Sequence, residues 1–357
     1  MMLFPLFRKT LLDTPLIKPG EKVVLAISGG LDSMVLLHLF TRVREELDLE
    51  LFVTHVNYGL RGNDSLEDER LVQATCERLR IPFFVKHWSQ EKNENFQNDA
   101  RNFRHQFFAE IAVSQDAHAI ATAHHADDQV ETILLHLIRG TGLQGLCGMP
   151  MCEPLSEGKL IRPLLDVSRE VLEQYAKQES VTFQNDISND TLSYRRNVIR
   201  HQMMPLFREL NPNMTTTLVD MGKRLTADHD MLQRLAVETL AEATLFSDES
   251  HYRFSRAVFA SVPKSLRVRM LSLIFDQLSK GAGHLNADQY ERMSDIILSG
   301  KQAGEYSLPS PWVFQRSGEE LSISMDHRNS CCVSAKENGK SAGLLNEGKY
   351  VETTQKQ

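Results

Sequence analysis

A parallel α/β sheet with helices on both faces, followed by a smaller and mainly helical domain, is the fold class this sequence predicts. Two observations carry it. From Val23 to about Ile138, short apolar runs of strand length alternate with longer stretches of helical periodicity. Beyond about residue 213 that alternation stops, and Leu, Met and Val recur at three- and four-residue spacing instead.

The strands fall at Val23–Ile27, Leu51–Val56, Pro82–Lys86 and Ala119–Thr122, nearly unbroken apolar runs of the kind buried on both faces of a parallel sheet. Helices are expected between and after them at Ser33–Arg44, Leu66–Leu79, Asn98–Ser114 and Asp127–Ile138. A further helix, Ser168–Glu179, starts behind a Ser cap with Pro163 upstream. A longer one runs from Asn197 to about Leu210, closed by Asn211-Pro212. The second domain shows its period in Met231, Leu232, Leu235 and Leu240, and strands return only as a short pair, Trp312–Gln315 and Leu321–Ser324. From Asn329 the chain is polar and rich in Lys, Gly, Ser and Glu, too poor in apolar area to order itself. The expected division is 1–212, 213–328 and a disordered tail, 329–357.

At 357 residues, with 41% hydrophobic and 24% charged, the chain has the composition of a soluble globular protein. A net charge of −7 argues against coating nucleic acid through bulk charge, while leaving local basic patches open. The cysteines (Cys76, Cys147, Cys152, Cys331 and Cys332) form no C-x-x-C pair and share no metal-ligand spacing with histidine, which argues against disulfide and zinc frameworks. The apolar start before Arg8 and Lys9 is too brief for a signal peptide, and no run reaches membrane-spanning length. The expected location is cytoplasmic, and a homodimer is among the assemblies the sequence allows.

The first strand ends in Ser28, Gly29, Gly30, Leu31, Asp32 and Ser33 and passes at once into a helical pattern. This is the layout of a phosphate-binding turn. The glycines let backbone amides approach an anion, the helix start adds free N–H donors, and the serines add hydroxyls. Asp32 adds a carboxylate suited to a phosphate-bound Mg²⁺. Rival phosphate motifs fail on context. Gly339-Lys340-Ser341 has Ser334 where a phosphate loop needs glycine, and Gly140, Gly142 and Gly145 follow a helix rather than a strand.

The run Ala123 to Thr132 follows the fourth strand and opens a helix. Asp128 and Glu131 are three apart and share a helical face, with His124 just before it. Such a set can hold an amine, a metal or a proton-transfer centre, or else simply complement the helix dipole, which is the preferred reading for Asp127. The stretch His55 to Gly62 ends the second strand where an adenine ring has room beside the phosphate turn, and its Arg61 faces either phosphate or solvent. Arg101 and Arg104 are three apart on one helix, and Arg195, Arg196 and Arg200 cluster on another, suited to polyphosphate or an RNA backbone unless they are solvated faces.

Together these residues resemble the N-type ATP pyrophosphatases, or PP-loop proteins, whose core is a Rossmann-like parallel sheet. Four stretches, His55–Gly62, Ala100–Phe108, Ala123–Met149 and Arg195–Pro205, are similar to the tRNA(Ile)-lysidine synthetase family in particular. The resemblance is close over roughly residues 20–210. It implies a two-step ligation at the wobble cytidine of the CAU anticodon of tRNA(Ile). ATP adenylates O2 of the base and releases pyrophosphate, and the ε-amine of free L-lysine then attacks C2 and expels AMP. It implies ATP at Ser28 to Ser33 with His55 and Arg61, and Mg²⁺ at Asp32. Arg104 and an arginine of the Arg196/Arg200 pair, with Arg195 beside them, would contact phosphate or tRNA. His124, Asp128 and Glu131 would line the lysine side. Longer family members carry a second C-terminal domain, expected to be absent or degenerate here. Two competing readings are a PP-loop tRNA thiolase, disfavoured by cysteine placement, and an ATP-sensing module without turnover, which has no need of an amine site.

Overall fold

Val23 and Leu25 point to one face of the central strand and Val24 to the other, and all three are fully buried, so two cores form back to back. The computed structural model describes residues 3–14, 16–59, 63–88, 96–184, 195–281 and 283–326. Arg61 and the expected tail lie outside these residues.

In the first of two compact units, residues up to Thr226, helix α1 (Leu3–Asp13) precedes strand β1 (Lys22–Ala26) and helix α2 (Leu31–Val43). There follow β2 (Glu50–Asn57), α3 (Asn63–Leu79), β3 (Phe83–His87), α4 (Phe96–Ser114), β4 (Ala119–Ala121) and α5 (Ala126–Arg139). A short α6 (Leu143–Leu146), the hairpin β5 (Cys152–Pro154) and β6 (Lys159–Ile161), and α7 (Arg169–Gln178) complete the sheet layer. The strand order is β3-β2-β1-β4-β6-β5, parallel except for β5. One face packs α1, α2 and α7 through Phe7, Leu36, Phe40 and Leu172; the other packs α4 through Phe107 and Ile111. The order reverses direction at β1 and β4, which opens a crevice at the carboxyl ends of those strands.

The expected helix Asn197–Leu210 is not continuous. It consists of α8 (Arg195–Val198), a π-helical turn (Ile199–Met203) and α9 (Met204–Leu210). The reason lies in Pro205, which has no N–H to give to the preceding turn. The wider turn closes instead through the Met204 amide, which donates to Ile199 O. The division between units falls at Thr226, inside α10 (Met214–Ala243), rather than at the expected residue 212.

The second unit combines helices with an antiparallel sheet that the sequence shows only as one strand pair. Its strands β7 (Thr244–Ser247) and β8 (His251–Ser255) precede α11 (Arg256–Ser261), α12 (Lys264–Ser279) and α13 (Ala287–Leu298). Strands β9 (Ala303–Ser307), β10 (Trp312–Ser317) and β11 (Glu320–Met325) follow, and the sheet order is β7-β8-β11-β10-β9. Phe254 is fully buried at its centre, with ring centroids 4.5 Å from Phe259 and 6.4 Å from Phe314. Among the described residues no helix is long and apolar enough to cross a membrane.

Removing the Phe254 ring leaves a cavity that neighbours on three elements cannot all close. Phe254→Ala is expected to cost about 3–5 kcal/mol, read as a drop in the urea midpoint. A shift below about 1 kcal/mol would show that this core relaxes around the loss.

Candidate active site

The turn after β1 is shaped by its own serines. Ser28 N–H donates to Ser33 Oγ at 3.1 Å, and Ser33 Oγ–H donates to Gly30 O at 2.9 Å. Gly29 holds φ +93°, and a Cβ there would lie 3.2 Å from Asp68 Cβ, so both backbone conformation and space call for glycine. Its carbonyl accepts the Gln184 amide at 3.0 Å. Helix α2 then starts at Gly30 with no side-chain cap, leaving its first amides for an anion.

Beside this turn lies a cavity of about 310 Å³, bordered also by Tyr58, Phe108, Arg104, His124, Asp128 and Arg169. Asp32 borders it and keeps a buried Oδ1 without a hydrogen-bond partner. Its Oδ2 lies 3.5 Å from His125 Nε2 and 3.8 Å from Arg169 Nη1. One free carboxylate oxygen next to an anion-binding turn fits Mg²⁺ carried by a polyphosphate, which needs only one or two protein carboxylates. Among the described residues there is no cluster of three or more side chains suited to a dedicated metal cage.

The opposite wall is the first turn of α5. Glu131, 1% exposed, accepts from Arg196 Nε at 2.7 Å and Arg200 Nε at 2.5 Å. Asp128 accepts from the His125 amide at 3.1 Å through Oδ2 and from Arg200 Nη2 at 3.1 Å through Oδ1. Burial opposes the charge on Asp128, but His125, Arg196 and His124 beside it hold its carboxyl below the usual carboxylate range. His125 is buried, which also works against charge, yet Asp32, Asp128 and Asp127 outweigh this and raise its pKa. His124 goes the other way. Burial, reinforced by Arg162, Arg104 and Arg196, lowers its pKa to about 4 in spite of Asp128, and its Nδ1 lies 2.9 Å from Thr122 Oγ1.

The structure thus brings Ser28, Gly30, Leu31, Asp32 and Ser33 to one cavity with Arg104, His124 and Asp128. Gly29 shapes the turn, and Glu131, Arg196 and Arg200 form the layer behind Asp128. His55 is placed elsewhere, buried in the sheet with Nδ1–H donating to Ile27 O at 2.9 Å, and burial lowers its pKa. Arg195 is exposed. Asp127, expected only to complement the helix dipole, accepts the Arg169 amide at 2.9 Å and a bond from Arg208. Ser168, expected as a cap, occupies the N-cap position of α7 without making a side-chain cap bond. Arg169, His125, Tyr58 and Gln184 were not singled out from sequence. Arg169 directly follows Ser168, the cap of a helix legible in the sequence, but its approach to Asp32 depends on a residue far along the chain.

The PP-loop domain family matches residues 7–207, most of the first unit. The tRNA(Ile)-lysidine synthase of Geobacillus kaustophilus is 34% identical over 320 residues, covering 87% of this chain and 68% of that protein. The enzyme of the same name from Geobacter sulfurreducens is 32% identical, covering 86% and 65%, and that from Porphyromonas gingivalis 35% identical, covering 72% and 61%. The chain belongs to the tRNA(Ile)-lysidine synthase family of PP-loop proteins. It spans about two thirds of the length of these curated relatives. The U34-tRNA thiolase NcsA of Methanococcus maripaludis shares the fold, with a TM-score of 0.53 at 18% identity over 63% of this chain and 78% of that one.

The described cysteines lie away from the cavity. Cys76 is buried, and burial pushes its thiol up to about 12. Cys147 Sγ–H donates to Leu143 O at 3.2 Å, and no described cysteine borders the cavity.

The His124 pKa of about 4 lies below its unfolded value of about 6.5, so between those values the unfolded chain binds the extra proton. Stability is therefore expected to fall as pH drops through that window. His124→Gln should flatten this limb in urea unfolding followed from pH 7 to pH 4. Parallel limbs for the two proteins would mean that His124 titrates alike folded and unfolded.

Proposed function

We propose that this protein ligates lysine to C2 of the wobble cytidine of the CAU anticodon of tRNA(Ile), through an adenylated tRNA. The observation that carries the reading is one cavity with an anion-binding turn on one wall and a held carboxylate, Asp128, on the other. An oxygen on C2 is a poor leaving group, and adenylation turns it into a phosphate ester that can depart. ATP sits with its phosphates on Ser28 to Ser33, and the first amides of α2 meet their charge. Asp32 would hold the Mg²⁺, which neutralises charge on the phosphates when bound. Arg104 and the Arg196/Arg200 pair serve the tRNA or the activated base as phosphate-binding cations. A reaction on ATP and tRNA belongs in the cytoplasm.

The second step needs a neutral amine at C2. Asp128 is the carboxylate that meets the lysine ε-ammonium, because it borders the cavity while Glu131 is already saturated by two guanidinium groups. A free lysine ammonium has a pKa of about 10.4, far above that of either neighbouring acceptor, Asp128 or His124. The ammonium therefore gives up one proton before its nitrogen has a lone pair for C2, and the nitrogen sheds a second as the C–N bond forms and it turns strongly acidic; Asp128 and His124, which border the cavity, are the acceptors.

Asp32→Ala should abolish tRNA-dependent pyrophosphate release while tRNA binding, measured by filter retention, persists. Asp128→Asn should leave pyrophosphate release running and raise the lysine KM by about 10²–10³-fold, with adenylated tRNA accumulating. If Asp128→Asn stops pyrophosphate release and leaves the lysine dependence unchanged, the carboxylate belongs to the ATP side and the amine site is misplaced. No AMP formation from wild-type protein with tRNA(Ile), ATP and lysine together would sink the whole reading.

A further inference from the structure

The turn is closed on one side by the segment from Arg169 to Gln184, which the two steps above leave without a role. Arg169 opens α7, borders the cavity, and holds Nη1 3.8 Å from Asp32 Oδ2. Its side chain is 46% exposed, and its Nε is bound to Glu173 at 3.1 Å. The guanidinium is thus steered but not spent. A single carboxylate contact at that distance and exposure contributes little, whereas a polyphosphate matches the planar fork with several charged oxygens.

The backbone beneath it is tied at both ends. The Arg169 amide donates to Asp127 Oδ2 at 2.9 Å, and Asp127 Oδ1 accepts from Arg208 and, at 3.5 Å, from Thr215 Oγ1. At the other end the Gln184 amide donates to Gly29 O at 3.0 Å, which fixes this segment to the turn itself. Asp127 is 7% exposed, so its bonds are sheltered from water.

We propose that Arg169 is a catalytic residue for pyrophosphate departure and that Asp127 is its positioning residue. The inference rests on the adenylation reading above. In that step the bond from O2 of the base to the α-phosphorus forms. The bond from the α-phosphorus to the bridging oxygen breaks, and its electron pair leaves on pyrophosphate. Negative charge grows on the β-phosphate as this happens, and Arg169 exchanges Asp32 for the departing oxygens.

The test compares Arg169→Gln and Arg169→Lys with the wild-type chain, using calorimetry with inorganic pyrophosphate and with AMP. Arg169→Gln should weaken pyrophosphate binding by at least about tenfold and leave AMP binding within about twofold, since AMP lacks the phosphates that Arg169 meets. It should slow pyrophosphate release at saturating ATP by about 10²–10³-fold, with Arg169→Lys recovering part. Asp127→Asn, which keeps an acceptor for the Arg169 amide, should retain more of kcat than Asp127→Ala, with AMP binding kept in both. Equal weakening of AMP and pyrophosphate binding, or normal pyrophosphate release in Arg169→Gln, would overturn the proposal. If wild-type pyrophosphate release proves independent of tRNA, the adenylation reading fails, while the two binding measurements still judge Arg169.

Discussion

Glu131 is 1% exposed and lies between two guanidinium groups, and the Asp128 wall of the cavity is arranged around that burial. Taking a carboxylate out of water costs several kcal/mol, and only near-complete hydrogen bonding offsets it. Here both oxygens are occupied, Oε1 by Arg200 and Oε2 by Arg196 and Arg200. Arg196 and Arg200 sit four residues apart, on one side of the helical segment, so a single buried acid can hold both. Leaving either partner unpaired would expose the whole desolvation penalty, which is why α5 and the π-helical segment are fixed to each other at this point.

That arrangement separates two carboxylates that look equivalent in sequence. Asp128 and Glu131 share a helix face at a spacing of three, but Glu131 is consumed in structure-building while Asp128 borders the cavity. The guanidinium groups that balance Glu131 also reach Asp128 Oδ1, and His125 together with Arg196 holds that carboxyl below the usual range. Charge balance, rather than spacing, decides which acid can meet a substrate.

The sheet and its site were legible because their signals are local. Strand, turn and helix follow one another within Val23 to Leu37, and the helix start at Ala126 lies next to the histidines and acids it presents. What was hidden depends on partners far along the chain. The strands of β5 and β6 are three residues each, and one contains a proline, so no periodicity marks them. The helix start at Ser168 is readable, but nothing local shows that the Arg169 behind it faces Asp32. The π-helical turn has a sequence trace in Pro205, but a proline alone does not say whether a helix ends or widens. The strand β9 is polar and lies at a sheet edge, where alternation is weak. His55, a motif position read as beside the nucleotide, is a buried strand residue whose ring is bonded to the carbonyl of Ile27, just beyond β1.

The two walls of the cavity come from one architectural device used with opposite charge. Strands β1 and β4 are neighbours, and each hands the chain to a helix whose N-terminus starts at the crevice. Both helix starts carry the same partial positive charge. At α2 nothing caps the end, so its amides remain for an external anion. At α5 the chain supplies its own anions, Asp127 and Asp128, in the first turn. Asp127 turns away to take the Arg169 amide, and Asp128 remains at the cavity as an acceptor. His125 sits between the walls, its Nε2 3.5 Å from Asp32 and 3.4 Å from Asp128. Filling one dipole end and leaving its neighbour empty converts a symmetric pair of phosphate sites into an anion site facing a cation site.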